Sequence, residues 1–413
     1  MTKKKESQAK SPQPALKGSV LEVLEAFAKL GLTSFGGPVA HLGYFRTEFV
    51  ERRKWLSDKS YADLVALCQF LPGPASSQVG MGLGLLRAGY PGALVAWLAF
   101  TLPSALALVL FAYGIEALGG ATGSGWLQGL KVAAVAVVVQ AVLGMMVTLA
   151  PDRKRATLAV TAAVLVLFIP TAFAQIGAIV LGSVVGYWLL RDGATHAEGR
   201  LNVPVGRTAA VAALIVFFAL LALLPFLART SGNQVIAYFD AFYRAGSLVF
   251  GGGHVVLPLL EAEVVPPGWV SRDTFLAGYG AAQAVPGPLF TFVAYLGVVM
   301  SPAPNGLAGA LLCLVAIFLP SFLLVVGALP FWDRLRARPD AQAALRGVNA
   351  AVVGILLAAL YDPVWTAGIR SGADFALGAA AFLLLYLWKT PPWLVVVLCA
   401  VAGGLIALAV PGA

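Results

Sequence analysis

Between Leu130 and Ala150 the chain reads LKVAAVAVVVQAVLGMMVTLA, with a single charge. A second stretch, TAAVAALIVFFALLALLPFLA from Thr208 to Ala228, has none. A helix that crosses a bilayer needs about 20 such residues, and a helix that is apolar on every side has no face to turn toward water. Runs of this kind recur along the whole chain. The totals agree: 60 % of residues are hydrophobic and 11 % charged, against about 25 % charged in soluble domains. The fold class expected is an all-α polytopic membrane protein.

The net charge of +9 does not point to nucleic acid. The cations sit in short loops between apolar runs, as the bias toward positive cytoplasmic loops produces. The opening MTKKKESQAKSPQPALKGS has no apolar core close behind it and is no signal peptide. Residues 1–18 read as a disordered basic cytoplasmic tail, drawn to anionic lipid. Cys68, Cys313 and Cys399 lie far apart, without metal or redox spacing, and the three histidines make no metal site. No metal and no cofactor is expected. No GxxxxGK[ST] phosphate loop occurs, so ATP is not the energy source expected.

The chain is written twice. Phe35-Gly36-Gly37 returns as Phe250-Gly251-Gly252, Glu25 and Lys29 as Asp240 and Arg244, and Trp55-Leu56-Ser57 as Trp269-Val270-Ser271. Gln69 with Pro72-Gly73-Pro74 returns as Gln283 with Pro286-Gly287-Pro288, and Leu102-Pro103-Ser104 as Leu319-Pro320-Ser321. The division expected is a tail (1–18), a first repeat (19–191), a linker with one transmembrane helix (192–232) and a second repeat (233–413). Each repeat holds six apolar segments, and the linker adds a thirteenth. The basic loops around Arg46–Lys59 and Arg153–Arg155 both belong inside. They can do so if the first two segments of each repeat enter the membrane and return. The single joining span then inverts the second repeat. Inverted repeats with interrupted helices are a transporter pattern, with the substrate at the midplane between the copies.

Irregular backbone at membrane depth must be buried or line a cavity, so the breaks mark the site. At Gly36 and Gly37, Pro38 starts a new helix, whose free N–H groups suit an anion; Gly251 and Gly252 are the counterparts. At Gly73, Ser76 and Ser77 add hydroxyl donors, matched by Gly287 and Thr291. Lys29 and Arg244 are candidate cations for an oxyanion, and Glu25 and Asp240, each four residues earlier on the same face, are candidate proton carriers. His41 and His254 follow the glycine breaks, and Gln69 and Gln283 precede the proline turns; these four complete the candidate substrate-binding set. The competing readings are close helix packing for the glycines and internal ion pairs for the charges. Lys131 lies near the start of its span and reads as a snorkelling interfacial cation.

The doubled pattern FGGP…H…WLS/WVS…QxxPGP, then LPS and GLKVAA/GVNAAVVG, resembles the chromate ion transporter family in its long, two-copy form. The likeness covers nearly all of the chain outside the tail and linker. Pro38 is replaced by Gly253 in the second copy. The resemblance implies potential- or proton-driven efflux of chromate across the bacterial cytoplasmic (inner) membrane, giving chromate resistance, with a cytoplasmic N-terminus. The partners implied are chromate or a sulfate-like oxyanion and the lipid bilayer; a homodimer is compatible with such a chain. The alternatives are a sulfate uptake or exchange permease, a passive anion channel and a membrane redox enzyme. The last lacks any haem or flavin motif and has only unpaired cysteines.

Overall fold

A computed structural model describes residues 18–117, 125–169, 171–191 and 205–409. Nearly all of the tail and the first part of the linker lie outside the described residues. Every regular element that is described is helical. Among the described residues six helices are long and apolar enough to cross a membrane, and three shorter apolar ones accompany them.

The first copy opens with α1 (Val20–Thr33) and α2 (Gly37–Phe45), which a π-helical turn extends over Arg46–Arg52. These form an antiparallel hairpin. Phe27 stacks on Phe49 with ring centroids 4.9 Å apart, and the Trp55 indole donates to Glu22 at 2.9 Å. The chain turns back at Gly36 (φ 99°) and Gly37 (φ 80°), a backbone that only glycine adopts without strain. A second hairpin pairs α3 (Asp58–Phe70) with the first half of α4 (Ala75–Ala117) across Pro72-Gly73-Pro74. Leu64 lies against Gly82 there. α4 then breaks at Ala88 and Gly89 and doubles back, with the backbones of Gly84 and Gly92 in close contact. The copy is completed by α5 (Gly125–Leu149), α6 (Arg153–Phe168) and α7 (Ala172–Leu189).

After α8 (Arg207–Ser231) the same order returns. α9 (Gln234–Leu248) and α10 (Val256–Val264) make the first hairpin, with Tyr238 against Trp269. α11 (Arg272–Ala282) and α12 (Phe292–Val299) make the second, across Pro286-Gly287-Pro288. Tyr295 there donates its hydroxyl to the Thr274 carbonyl at 3.1 Å. α13 (Gly306–Ala328), a short α14 (Trp332–Arg336), α15 (Pro339–Ala359), α16 (Thr366–Gly368), α17 (Gly372–Tyr386) and α18 (Pro392–Ala409) follow. Both of the first two segments in each copy are therefore helical hairpins.

The copies interlock. α5 packs on α18, and its counterpart α15 packs on α7. Small residues set these close approaches: Gly129 meets the Cys399 backbone, and Gly182 and Gly186 meet Gly347. That is how helices associate where lipid offers no hydrophobic drive. The matched helices α4 and α13 run antiparallel: Trp97 lies 5.6 Å from Phe318, while Tyr113 lies near Gly306.

Candidate substrate site

The four breaks meet at the centre in a crossed arrangement. Gly73 of the first copy donates its N–H to Val249 of the second at 2.7 Å, and Gly287 of the second donates to Ser34 of the first at 2.9 Å. Val249 and Ser34 are matched residues, each closing the first helix of its copy. The serines of the two Leu-Pro-Ser motifs complete the pattern. A Cβ on Gly73 would lie 2.6 Å from Ser321 Oγ, and one on Gly287 would lie 2.8 Å from Ser104 Oγ. With φ of 124° and 98°, both positions demand glycine for conformation and for space.

Beside this crossing lies a cavity of about 540 Å³. Its floor is the glycine breaks of both copies, Gly36, Gly37, Gly251, Gly252 and Gly253, with Gly287. One wall is the second half of α5, from Val137 and Gln140 to Thr148. His254 and Gln283 line it, and Lys389, between α17 and α18, stands on its rim. The Gln283 amide nitrogen is buried without a hydrogen-bond partner. His254 Nδ1 lies 2.9 Å from the Tyr279 hydroxyl. Asn349, which occupies the place of Lys131 in the second copy, reaches the Gly251 break. Its amide oxygen is buried and unpaired.

Chemically, this is a polar floor of helix ends and glycine backbone, an amide donor, an imidazole and one cation. Free N–H groups at a helix start favour an anion through hydrogen bonds and the helix dipole. Neutral donors plus a single cation suit a dianion that must be held and then released.

Of the sequence candidates, Gly36, Gly37, Gly251, Gly252, His254, Gln283 and Gly287 line the cavity. Gly73 forms the crossing. His41 is buried directly behind the floor; its Nε2 lies 3.1 Å from the Ser34 carbonyl and its Nδ1 3.4 Å from Ser76 Oγ. Ser77 is buried with its hydroxyl unpaired, and Thr291 donates to Pro288 at 2.7 Å. Lys29, Glu25 and Gln69 are exposed on the outer faces of α1 and α3. Asp240 is buried and Arg244 part-buried, both away from the cavity and joined by Glu263: Arg244 donates to both carboxylates, at 2.8 and 2.9 Å. Lys131 does not snorkel. It is 6 % exposed and bonds Asp273 at 2.8 Å, because α11 brings a carboxylate to it.

Lys389 was legible only as a loop charge, since its relation to the glycine breaks depends on how α17 and α18 pack on α5. Glu263 could have been found: Glu48 holds its place in the first copy.

A family model described as chromate transporter matches residues 21–188 and again 236–404. The chain belongs to the chromate transporter family. It is 31 % identical to a chromate transport protein of Pseudomonas aeruginosa over 388 residues, 92 % of this chain and 90 % of that protein. It is 30 % identical to a probable chromate transport protein of Synechococcus elongatus over 401 residues, 93 % and 95 % of the two chains. A chromate transport protein of Cupriavidus metallidurans is 28 % identical over 339 residues, covering 81 % and 80 %. No solved structure matches. The two matched stretches are the two copies read from the sequence, and the family is one of transporters, not enzymes.

Proposed function

We propose that this chain exports chromate, or a tetrahedral dianion of the same shape, from the cytoplasm across the inner membrane. The substrate sits in the cavity where the glycine breaks of the two copies meet, and that meeting is the observation that carries the reading. A tetrahedral oxyanion presents four acceptor oxygens, and the cavity presents donors.

The charges support an orientation with the N-terminus, Arg153–Arg155, Arg334–Arg338 and Lys389 inside. The hairpins then return to the side they entered, and α8 inverts the second repeat (233–413) relative to the first (19–191). In that frame the cavity opens inward, between Thr148 at the end of α5 and Lys389. The opposite end is tied shut by ion pairs between elements. Lys131 and Arg370 both bind Asp273, and Arg272 binds Asp362 at 3.0 Å. This is an inward-facing conformation, ready to load from the cytoplasm.

An inside-negative potential drives a dianion outward by roughly 4.6 kcal/mol per 100 mV, twice the value for one charge. Export therefore needs no ATP. The test is radiolabelled chromate entry into inverted membrane vesicles, with and without a potential and with excess sulfate. Saturable entry that is lost when the potential is collapsed is expected. Entry equal to that of vesicles lacking the protein sinks the reading.

A further inference from the structure

We infer that Lys389 captures the dianion at the cytoplasmic mouth, and that its absence from the other copy makes capture one-sided. The inference rests on the export reading above and deepens it.

Lys389 is the only charged side chain among the residues that line the cavity. It is also held in place. Its φ is 54°, a left-handed conformation that is uncommon for a residue other than glycine. The backbone on either side is tied to the end of α17: Trp388 donates to Leu383 at 3.3 Å and Thr390 to Leu384 at 3.0 Å. Its ammonium lies 4.9 Å from the centre of the Tyr386 ring. The loop is fastened to the floor of the cavity as well. Trp393, just past the two prolines, packs 5.9 Å from Phe35 of the first glycine break, and Gln140 of α5 donates to Leu385. The backbone that carries the exposed Lys389 side chain is thus tied to both the breaks and α5.

The first copy has nothing like it. The loop between α6 and α7, which matches the loop between α17 and α18, reads Ile169-Pro170-Thr171 and carries no charge. If the copies exchange roles when the transporter turns outward, that neutral loop borders the outer mouth. A dianion then enters past a lysine that no carboxylate among the described residues neutralises, whereas the cations of the opposite end, Lys131, Arg272 and Arg370, are each held by Asp273 or Asp362. A cation at one mouth raises the local concentration of an anion there and speeds its capture. It does not add affinity at the other mouth, so release stays fast.

The experiment compares wild type with Lys389→Asn and Lys389→Arg in inverted vesicles, measuring KM and kcat for radiolabelled chromate at about 20 and about 200 mM salt, which shortens the Debye length roughly threefold. Asparagine adopts the left-handed backbone readily, so this neutral variant keeps the loop. Lys389→Asn is expected to raise KM about tenfold with kcat within about twofold, as loss of one charge facing a dianion across several ångströms implies. Lys389→Arg should stay within about threefold of wild type. The wild-type KM should rise with salt and that of Lys389→Asn should not. A KM for Lys389→Asn within twofold of wild type, with the same salt dependence, overturns the inference.

Equilibrium dialysis of labelled chromate against the purified proteins separates this from the export reading. If wild type binds but does not transport, and Lys389→Asn binds about tenfold more weakly, export fails and the role of Lys389 stands. If both bind equally, the role of Lys389 fails whatever the vesicles show. If wild type neither binds nor transports chromate, both fail.

Discussion

The two copies carry the same acid–base–acid pattern and use it differently. In the second, Asp240, Arg244 and Glu263 form a largely enclosed cluster in the first hairpin. In the first, the matched Glu25 and Lys29 are exposed, and the matched Glu48 bonds Arg52 and Arg53 instead. The difference has a visible cause. α8 packs along α9 and α13, and Tyr243 of α9 donates its hydroxyl to Phe217 of α8 at 3.0 Å. No described helix covers α1 in the same way. One added span thus turns two similar hairpins into an enclosed one and an open one. A duplicated fold can acquire direction in this way without losing its symmetric centre.

The centre is where the copies should behave alike, and where the largest effects are expected. Gly73→Ala and Gly287→Ala each place a methyl against a serine hydroxyl at a positive φ. Each should cost about 3 kcal/mol or more, from strain plus overpacking. Both variants should lose thermal stability in detergent and most chromate transport. If only one glycine is intolerant, the centre is not a symmetric crossing and the two turns have separate roles.

Away from the centre the copies should diverge. Arg244→Ala leaves the buried Asp240 and the part-buried Glu263 without the cation that bonds them, a change that costs about 3–5 kcal/mol where such a pair is fully buried. Lys29→Ala removes an exposed side chain and should change stability by less than about 1 kcal/mol. Replacing the cluster as a unit, with Asp240→Asn, Arg244→Met and Glu263→Gln together, should recover much of the loss. Thermal unfolding of the three proteins checks this. Equal losses from Arg244→Ala and Lys29→Ala would mean that α1 is covered in the membrane by a partner.

Much of this was legible in the sequence because duplication prints its own check. A motif that occurs twice at matched places reports its importance without any alignment. The hairpins followed from a parity argument on basic loops, and the break positions from glycine and proline. What stayed hidden depends on contacts between copies. Sequence treats Lys29 and Arg244, or Gln69 and Gln283, as equals, and nothing local reveals that α8 encloses α9. Lys131 looked interfacial because Asp273, its partner, lies in the other copy. Lys389 looked like a topology signal, a reading that leaves out the cavity beside it.

The glutamines give the finest form of the comparison. Both precede a Pro-Gly-Pro turn at matched positions, and from sequence they deserve the same weight. Gln283 lines the cavity with an unpaired amide nitrogen, whereas Gln69 is exposed on α3. A hydrogen bond to a charged ligand contributes about 1.5–3 kcal/mol, so Gln283→Ala should raise the KM for chromate at least tenfold. Gln69→Ala should leave it within about twofold in the inward-facing state. The two effects need not remain unequal in every state. If the copies exchange roles during the cycle, Gln69 meets the substrate on the outward side. Gln69→Ala should then alter chromate entry into right-side-out vesicles under a reversed potential, where loading begins from that side. An unchanged KM in both vesicle orientations would show that Gln69 never reaches the substrate, and that the symmetry of the sequence is not a symmetry of the transport path.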